Sequence, residues 1–235
     1  LSLMAVLSFA FGGYLYYSAL IQASKERTDM EAEEHTKTLR NDIDSYLTWS
    51  LLTVKSLSGL KALKQSLLSG DGATLAETNA ILDQFCDDLK VSVCYLMDRS
   101  GKTIASSNRD TSDSFLGKNY GFRPYFTQAM QRIPGVYLAL GVTSKKRGIY
   151  YSHPVYGKDK EKPLGVAVIK ASVEPMEKNF IKSYQGIVLL TDPHGVVFIS
   201  SRADWLYHVL WEASSETISD IAKTRQFGTG PWNWT

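Results

Sequence analysis

The amino-acid sequence predicts an α+β fold in which a long N-terminal helix precedes antiparallel sheets. Apolar residues follow a helical period from residue 25 to residue 68, and after Lys90 they change to short runs separated by turns. The predicted order is a long helix, two strands, short helices and three strands. An antiparallel sheet of five strands, with helices on one side and the long helix across the other, would bury a single core from these elements.

The first 24 residues contain no charged side chain. At about 1.5 Å per helical residue this length crosses a hydrocarbon layer of about 30 Å, so residues 1–24 are predicted to form a transmembrane helix. A cleaved signal peptide is the alternative, but its apolar region would be shorter, and Ala19 to Ala23 offers only a poor cleavage site. The chain begins without a methionine, so we expect it to be a piece of a longer protein.

Residues 25–72 are predicted to form a long signalling helix that leaves the membrane. The residues just after the apolar segment carry both charge signs without a positive excess, which predicts that residue 25 onward lies outside the cytoplasm. An apolar stripe follows the helical period and faces either a core or a second copy of the chain. The stripe consists of Leu39, Ile43, Leu47, Leu51, Val54 and Leu57. Thr74 and Glu77 form a predicted capping box for the next helix.

Five strands are predicted after Lys90. Residues 91–97 and 103–107 form a hairpin, and residues 136–143, 148–156 and 164–173 supply three more strands. Between the two groups, Pro124 is suited to the first position of a helix that runs to Ile133. The pattern Asp98-Arg-Ser-Gly-Lys returns as Asp192-Pro-His-Gly-Val between two further apolar runs, which predicts a second, smaller module of the same kind.

Arg123 and Lys170 are the candidate binding residues. Arg123 precedes Pro124 in an aromatic setting, where a helix start and a guanidinium together favour an organic anion, although a stacked surface arginine is the plainer alternative. Strand alternation puts Lys170 on the face of Val166 and Val168. The lysine would either extend its ammonium to solvent at the strand end or turn inward as a second cation.

Other classes of site find little support in the sequence. The net charge is +2 and no basic stripe with interleaved aromatics occurs, so no nucleic-acid partner is expected. Cys86 and Cys94 lack metal-ligand spacing and the four histidines are dispersed, so neither a metal nor another cofactor is expected in this segment. The two cysteines are expected to be free thiols, with a disulfide as the open alternative. No catalytic motif is present, which leaves any enzymatic activity to residues beyond 235.

Several sequence blocks resemble the periplasmic sensor of the four-carbon dicarboxylate transport sensor kinases, which belong to the double Cache receptors. The blocks are Phe115-Leu-Gly-Lys-Asn-Tyr-Gly-Phe-Arg-Pro-Tyr-Phe-Thr-Gln-Ala, Ala139-Leu-Gly-Val-Thr-Ser, Arg147-Gly-Ile-Tyr-Tyr-Ser-His-Pro-Val and Gly165-Val-Ala-Val-Ile-Lys. The resemblance implies two PAS-like modules on one long helix. The membrane-distal, ligand-binding module would be residues 73–183 and an incomplete membrane-proximal module residues 184–235.

The resemblance further implies a membrane-bound sensor that binds succinate, fumarate or malate and signals through a histidine kinase to a cytoplasmic response regulator. The ligand-binding residues it implies are Asn119, Tyr120, Arg123, Thr143 and Lys170. Asn119 stands where the dicarboxylate binders have a serine, which leaves the particular ligand open. A homodimer through the long helix is also expected. The same sensor on a chemoreceptor or a cyclic-dinucleotide enzyme, an amino-acid ligand, and a ligand-free dimerisation scaffold are the alternatives.

Overall fold

The structure is a computed structural model that describes residues 2–178, 184, 186–228, 230 and 232–233. The chain divides into two units, Leu1–Ser45 and Tyr46–Thr235. The helices are α1 (Ser2–Ser58), α2 (Lys61–Ser69), α3 (Gly72–Leu89), α4 (Pro124–Met130), the single turn α5 (Glu174–Met176) and α6 (Ser215–Thr224), with a 3₁₀ turn at Ala203–Trp205. The strands are β1 (Val93–Asp98), β2 (Thr103–Ser106), β3 (Gly135–Leu140), β4 (Arg147–Tyr156), β5 (Pro163–Ser172), β6 (Leu189–Thr191) and β7 (Val197–Ser200). The predicted α+β class is confirmed.

The first unit is helical throughout its described residues. Helix α1 is the one helix in the described part of the chain whose length and apolar composition would let it cross a membrane. Its large apolar side chains between residues 4 and 21 are exposed, which is consistent with a membrane-spanning segment.

The long helix is shorter than the sequence predicts, and its continuation to residue 68 is wrong. Helix α1 ends at Ser58, and Leu60 adopts an extended backbone before α2 begins at Lys61. The Gly59 amide still donates to the carbonyl of Lys55 at 3.2 Å, so helical hydrogen bonding extends to Gly59. The apolar spacing in the sequence also continues past this point, although the chain changes direction. The predicted capping box is also wrong, because Asp71 accepts from the Thr74 amide at 2.9 Å and starts α3 at Gly72.

Within the second unit, the apolar stripe of α1 faces the core. Val54 and Leu57 are completely buried, and Leu51 is half-buried. On the other side of the same helix, Trp49 is 73 % exposed and Leu52 is 50 % exposed. The burial of Val54 and Leu57 assigns the C-terminal end of the stripe to intramolecular packing, whereas Trp49 and Leu52 lie on the outer face.

The five-stranded sheet is antiparallel, with the strand order β2-β1-β5-β4-β3. Tyr150 pairs with Lys170 and with Tyr137 across neighbouring strands, so these three side chains share one face. Helix α4 packs on that face, where the Ser152 hydroxyl donates to the carbonyl of Tyr125 at 2.9 Å.

The opposite face of the sheet carries α3 as well as α1. Tyr151 and Ile169 on this face line a cavity of about 120 Å³ together with Ser50 of α1 and Leu89 of α3. The long helix thus shares its face of the sheet with α3. Helix α3 has to join it there because the α3 to β1 connection is short, and Lys90 in a left-handed conformation turns the chain back into the sheet.

Both outer strands of the sheet are bonded to other parts of the chain. At the β2 edge, Thr103 donates to the carbonyl of Lys118 at 2.8 Å and accepts from the amide of Gly117 at 2.9 Å. At the β3 edge, the amide of Leu140 donates to the carbonyl of Gln226 at 2.8 Å. Segments distant in sequence thus occupy backbone groups that an edge strand would otherwise expose.

The second hairpin, β6 and β7, repeats the turn of the first. Asp98 accepts from the amides of Ser100 and Lys102 at 2.8 and 3.0 Å, and Asp192 accepts from those of His194 and Val196 at 3.0 and 2.8 Å. Each turn has its glycine at positive φ, 84° and 82° respectively. The shared turn supports the predicted repeat. The predicted module boundary stays a prediction, because residue 183 lies outside the described residues.

Candidate functional site

Arg123 is buried at the start of α4, although arginine is seldom fully buried without partners. It has an extended backbone, Pro124 follows as the first helical residue, and the arginine is only 2 % exposed. Its guanidinium donates from Nη2 to the carbonyl of Leu140 at 2.9 Å and from Nη1 to the carbonyl of Arg225 at 3.1 Å. The guanidinium carbon lies 5.4 Å from the centroid of the Phe122 ring. The alternative of a stacked surface arginine is excluded by this burial.

Lys170 turns inward from the face of β5 and is also 2 % exposed. Its ammonium donates to the hydroxyl of Ser144 at 2.6 Å and lies 5.6 Å from the centroids of the Phe115 and Tyr150 rings. Among the described residues, no carboxylate lies within ion-pair distance of it. The lysine therefore contributes an inward positive charge that one hydroxyl and two aromatic faces solvate.

Burial lowers the pKa of the Lys170 ammonium to about 8. The positive charges of Lys146 and Arg123 lower this pKa further, while the carboxylate of Asp113 opposes them. The charge of Arg123 therefore disfavours the protonated form of Lys170, the direction expected of a second cation in poorly screening surroundings. An anion placed between them would relieve that repulsion.

A narrow cavity of about 10 Å³ lies beside Arg123. Its volume admits about one water molecule. Tyr120 and Thr143 face each other across it, with their hydroxyls 2.8 Å apart. The walls are Phe115, Tyr120, Arg123, Tyr125, Gly141, Val142, Thr143 and Tyr150. A Cβ atom on Gly141 would lie 3.1 Å from the Lys170 ammonium nitrogen, so Lys170 reaches the same space.

A second, open cavity of about 470 Å³ lies on the other side of Lys170. Ser144, Lys146 and Asp113 also line it. Because Lys170 borders this open space and approaches the narrow one at Gly141, its ammonium stands between solvent and the interior of the site.

Aromatic residues form much of the narrow cavity wall and add no charge of their own to it. The rings of Tyr125 and Tyr150 stack with centroids 5.2 Å apart, and the hydroxyls of Tyr125 and Tyr95 lie 2.8 Å apart. Burial raises the pKa of both Tyr125 and Tyr150, so both remain neutral hydroxyls at physiological pH. In such low-dielectric surroundings a hydrogen bond to an ionised group is stronger than it is in water.

The structure brings together four of the five residues predicted for the site. Tyr120, Arg123 and Thr143 line the narrow cavity, and Lys170 borders it. Asn119 is exposed outside the cavity, where its side chain donates to the carbonyl of Ser100 and accepts from the amide of Gly121, both at 2.9 Å. These bonds hold the loop against the β1–β2 turn, which is a structural task.

Thr143 reaches the site for a different reason from the one predicted. The third strand was expected to run to residue 143, but β3 ends at Leu140. Residues 141–145 form a turn closed by the bond of 2.9 Å from the amide of Lys145 to the carbonyl of Gly141. This turn directs both Thr143 and Ser144 toward the cations.

Sequence reasoning did not assign Ser144, Phe115, Tyr150 or the carbonyls of Leu140 and Arg225 to the site. Ser144 directly follows Thr143 in the block compared with known sensors, and Phe115 opens another such block, so both were within reach of the same argument. The two carbonyls could not be predicted, because every residue has a backbone acceptor whatever its side chain is.

Comparisons with known proteins relate this chain to bacterial sensors. It is 33% identical over 207 residues to the C4-dicarboxylate transport sensor protein DctB of Pseudomonas aeruginosa, covering 85% of this chain and 33% of that protein. It is 32% identical over 170 residues to DctB of Rhizobium meliloti, covering 72% of this chain and 27% of that protein. The chain thus spans about a third of the length of these curated relatives. No protein-family model matches the sequence.

Solved structures agree with the sequence relatives. The sensor domain of the V. cholerae histidine kinase DctB superimposes with a TM-score of 0.79 at 33% identity, covering 87% of this chain and 78% of that one. The ligand-binding domain of the Campylobacter jejuni chemoreceptor Tlp3, solved with 4-methylisoleucine, has a TM-score of 0.60 at 16% identity. It covers 80% of this chain and 75% of that one and shows a shared fold alone.

Proposed function

The chain belongs to the family of DctB sensor domains, and on that premise we propose that Arg123 and Lys170 bind the two carboxylates of a four-carbon dicarboxylate such as succinate, fumarate or malate. One observation carries the proposal: two buried cations border one aromatic cavity, and no carboxylate pairs with Lys170 among the described residues. Tyr120 and Thr143 supply hydroxyls between the cations.

A diacid fits this charge pattern better than a monoacid does. Each charge-assisted hydrogen bond contributes about 1.5–3 kcal/mol. A ligand with one carboxylate would engage only one of the two cations in a closed site and so forgo about 3 kcal/mol, which corresponds to roughly a hundredfold in affinity. An amino acid adds an ammonium group that Lys170 repels, so the charge pattern argues against the amino-acid alternative.

Binding has to be coupled to a change of shape. The cavity of about 10 Å³ holds about one water, whereas a four-carbon diacid occupies several times that volume. The ligand would therefore favour a more open arrangement of α4 and the 141–145 turn, and its differential affinity for the two arrangements would drive the signal.

The wider proposal concerns the whole protein. We infer that residues 1–24 anchor it in the bacterial inner membrane, that residue 25 onward lies in the periplasm, and that a histidine kinase domain beyond residue 235 signals to a cytoplasmic response regulator. The apolar composition of α1 and the sensor proteins to which the chain is related support this arrangement. A homodimer through α1 belongs to the same proposal, because Trp49 and Leu52 leave an apolar outer face on that helix.

Ligand-dependent unfolding of the purified chain tests the binding site. Succinate, fumarate or malate at about a hundredfold excess over Kd should stabilise the protein by about 2.7 kcal/mol, whereas butyrate and amino acids should have much smaller effects. Lys170→Met and Arg123→Met should each abolish the response, and Lys118→Met, which removes an exposed lysine, should retain it. A wild-type response to none of these acids would favour a scaffold that binds no ligand.

The pH dependence of binding adds a sharper criterion. Free Lys170 has a pKa of about 8, so above that pH the lysine must regain a proton to pair with a carboxylate. Succinate affinity should fall by up to about tenfold per pH unit above pH 8, and the residual binding of Lys170→Met should not show this fall. An affinity that stays constant up to pH 10 in the wild type would contradict a role for the lysine charge.

A further inference from the structure

Two residues after α6 link the candidate ligand site to the edge of the sheet. Arg225 and Gln226, here called the strap, lie along β3. The carbonyl of Gln226 accepts from the amide of Leu140 at 2.8 Å, and its side-chain amide donates to the carbonyl of Leu138 at 2.7 Å. The Arg225 guanidinium lies 5.6 Å from the centroid of the Phe122 ring. The strap therefore contacts the edge of the sheet through one backbone and one side-chain hydrogen bond.

Arg123 connects this strap directly to the cavity. Its guanidinium lines the cavity and at the same time donates to the carbonyls of Arg225, in the strap, and Leu140, at the end of β3. Leu140 in turn donates through its amide to Gln226. One arginine, one strand end and the strap thus share a closed set of hydrogen bonds around the candidate binding residue.

Part of the cavity wall belongs to this set of bonds. The cavity is lined by Arg123, at the start of α4, and by residues 141–143, which directly follow Leu140. Displacing the arginine lengthens its bond to the strap, and displacing residues 141–143 pulls on Leu140. A ligand larger than about one water that moves either part of the wall therefore weakens these bonds.

We propose that the strap is a latch that holds the site in its narrow form, and that a bound carboxylate releases it by taking over the Arg123 guanidinium. The inference rests on the proposed function, since it requires an anion in the cavity. A carboxylate competes effectively because it bears a full negative charge and can accept two parallel hydrogen bonds from one guanidinium, whereas each carbonyl bears only a partial charge. Residues 225–228 would then separate from β3 when ligand binds.

Hydrogen exchange of the ligand-free protein tests the link between Arg123 and the strap. Arg123→Met should speed exchange in residues 221–228 and at the Leu140 amide severalfold. Arg99→Met is the matched control, because Arg99 also donates to a backbone carbonyl, that of Pro163 at 3.1 Å, in a remote part of the sheet. Unchanged exchange at the strap in Arg123→Met would overturn the proposal whether or not any ligand binds.

Exchange with added succinate tests the release. Saturating succinate should speed exchange at Leu140 and in residues 225–228 of the wild type. In the rest of the protein, ligand binding should slow exchange. If succinate stabilises the protein but slows exchange at the strap, the latch is wrong and the proposed function stands. If no dicarboxylate binds, the proposed function and the ligand-driven release both fail.

The coupling must also act in reverse, because linkage between two sites is reciprocal. Gln226→Ala removes the bond to Leu138 without altering a residue of the cavity wall, so it should raise the affinity for succinate about threefold to tenfold. Lys223→Ala, an exposed substitution near the end of α6, should leave the affinity unchanged. Unchanged or weaker binding in Gln226→Ala would contradict the latch.

Discussion

Lys170 shows how a buried charge can be destabilising in the protein and useful to it. One hydroxyl and two aromatic rings replace its hydration shell, and this incomplete replacement lowers its pKa to about 8. Positions that serve packing alone rarely retain such a residue, since an apolar side chain of the same volume would be less costly. Its burial therefore points to a ligand more strongly than its sequence position does.

This burial predicts a pH dependence of stability for the free protein. Below about pH 8 the lysine is protonated in both states, and the folded protein bears the full cost of the buried charge. Between about pH 8 and pH 10.4 the folded state has lost the proton that the unfolded state still binds, so the free energy of unfolding should rise by up to about 3 kcal/mol. The difference between wild type and Lys170→Met in urea unfolding isolates this contribution from that of the tyrosines. A difference independent of pH would show that the lysine is solvated in the folded state.

At the residue scale, the sequence could indicate which side chains carry charge and which face of a strand they share. Strand alternation correctly put Lys170 beside Val166 and Val168, but it could not decide between snorkelling and turning inward, because that depends on Ser144 and Phe115 from distant segments. Asn119 shows that a neighbour in sequence need not belong to the same site. It lies next to Tyr120 in sequence, yet its side chain serves the Ser100 turn instead of the cavity.

At the scale of elements, the β1–β2 turn is packed against the loop that leads to Arg123. Gly101 has a φ of 84°, and a Cβ atom there would lie 2.3 Å from the Cα of Gly121. The turn therefore requires glycine both for its backbone conformation and for the close approach of the second segment. Since Gly121 lies two residues before Arg123, this contact helps to position the start of α4.

Two alanine substitutions separate these requirements. Gly70→Ala, at a φ of 65° with no neighbouring atom within 4 Å, should lower the free energy of unfolding by about 1–2 kcal/mol through backbone strain alone. Gly101→Ala should cost this amount and about 1–3 kcal/mol more, because the new methyl group forces the loop away. Urea unfolding gives both values. Equal losses would mean that the loop is not held against the turn.

Element types could be predicted from the sequence better than element ends could. The hairpin turns were identified by their Asp-x-x-Gly pattern, whose side-chain bonds are local. The break after Ser58 was missed because the apolar period continues past Gly59, and a lone glycine in a helical pattern is often tolerated. The start of α3 was misplaced because Asp71 and Thr74 are both plausible caps, and only the structure distinguishes them.

At the scale of the whole molecule, the outer face of α1 is the candidate contact between two copies of the chain. In a background in which Cys86 and Cys94 are replaced by alanine, Trp49→Cys should form a disulfide-linked dimer on mild oxidation, because Trp49 is 73 % exposed. Gln65→Cys on α2, which is also exposed, should remain monomeric. Non-reducing electrophoresis of membranes gives the readout, and equal cross-linking at both positions would indicate random collision.

The covered edges of the main sheet also bear on how this protein avoids aggregation. Thr103 at one edge and Leu140 at the other already use backbone groups that a foreign strand would need. Edge-to-edge growth into fibrils is thereby discouraged at both sides of the sheet. If ligand binding frees the β3 edge, the occupied sensor would be the form more prone to aggregate. Long-term storage without ligand would then preserve the protein better than storage with it, the reverse of the usual practice for binding proteins.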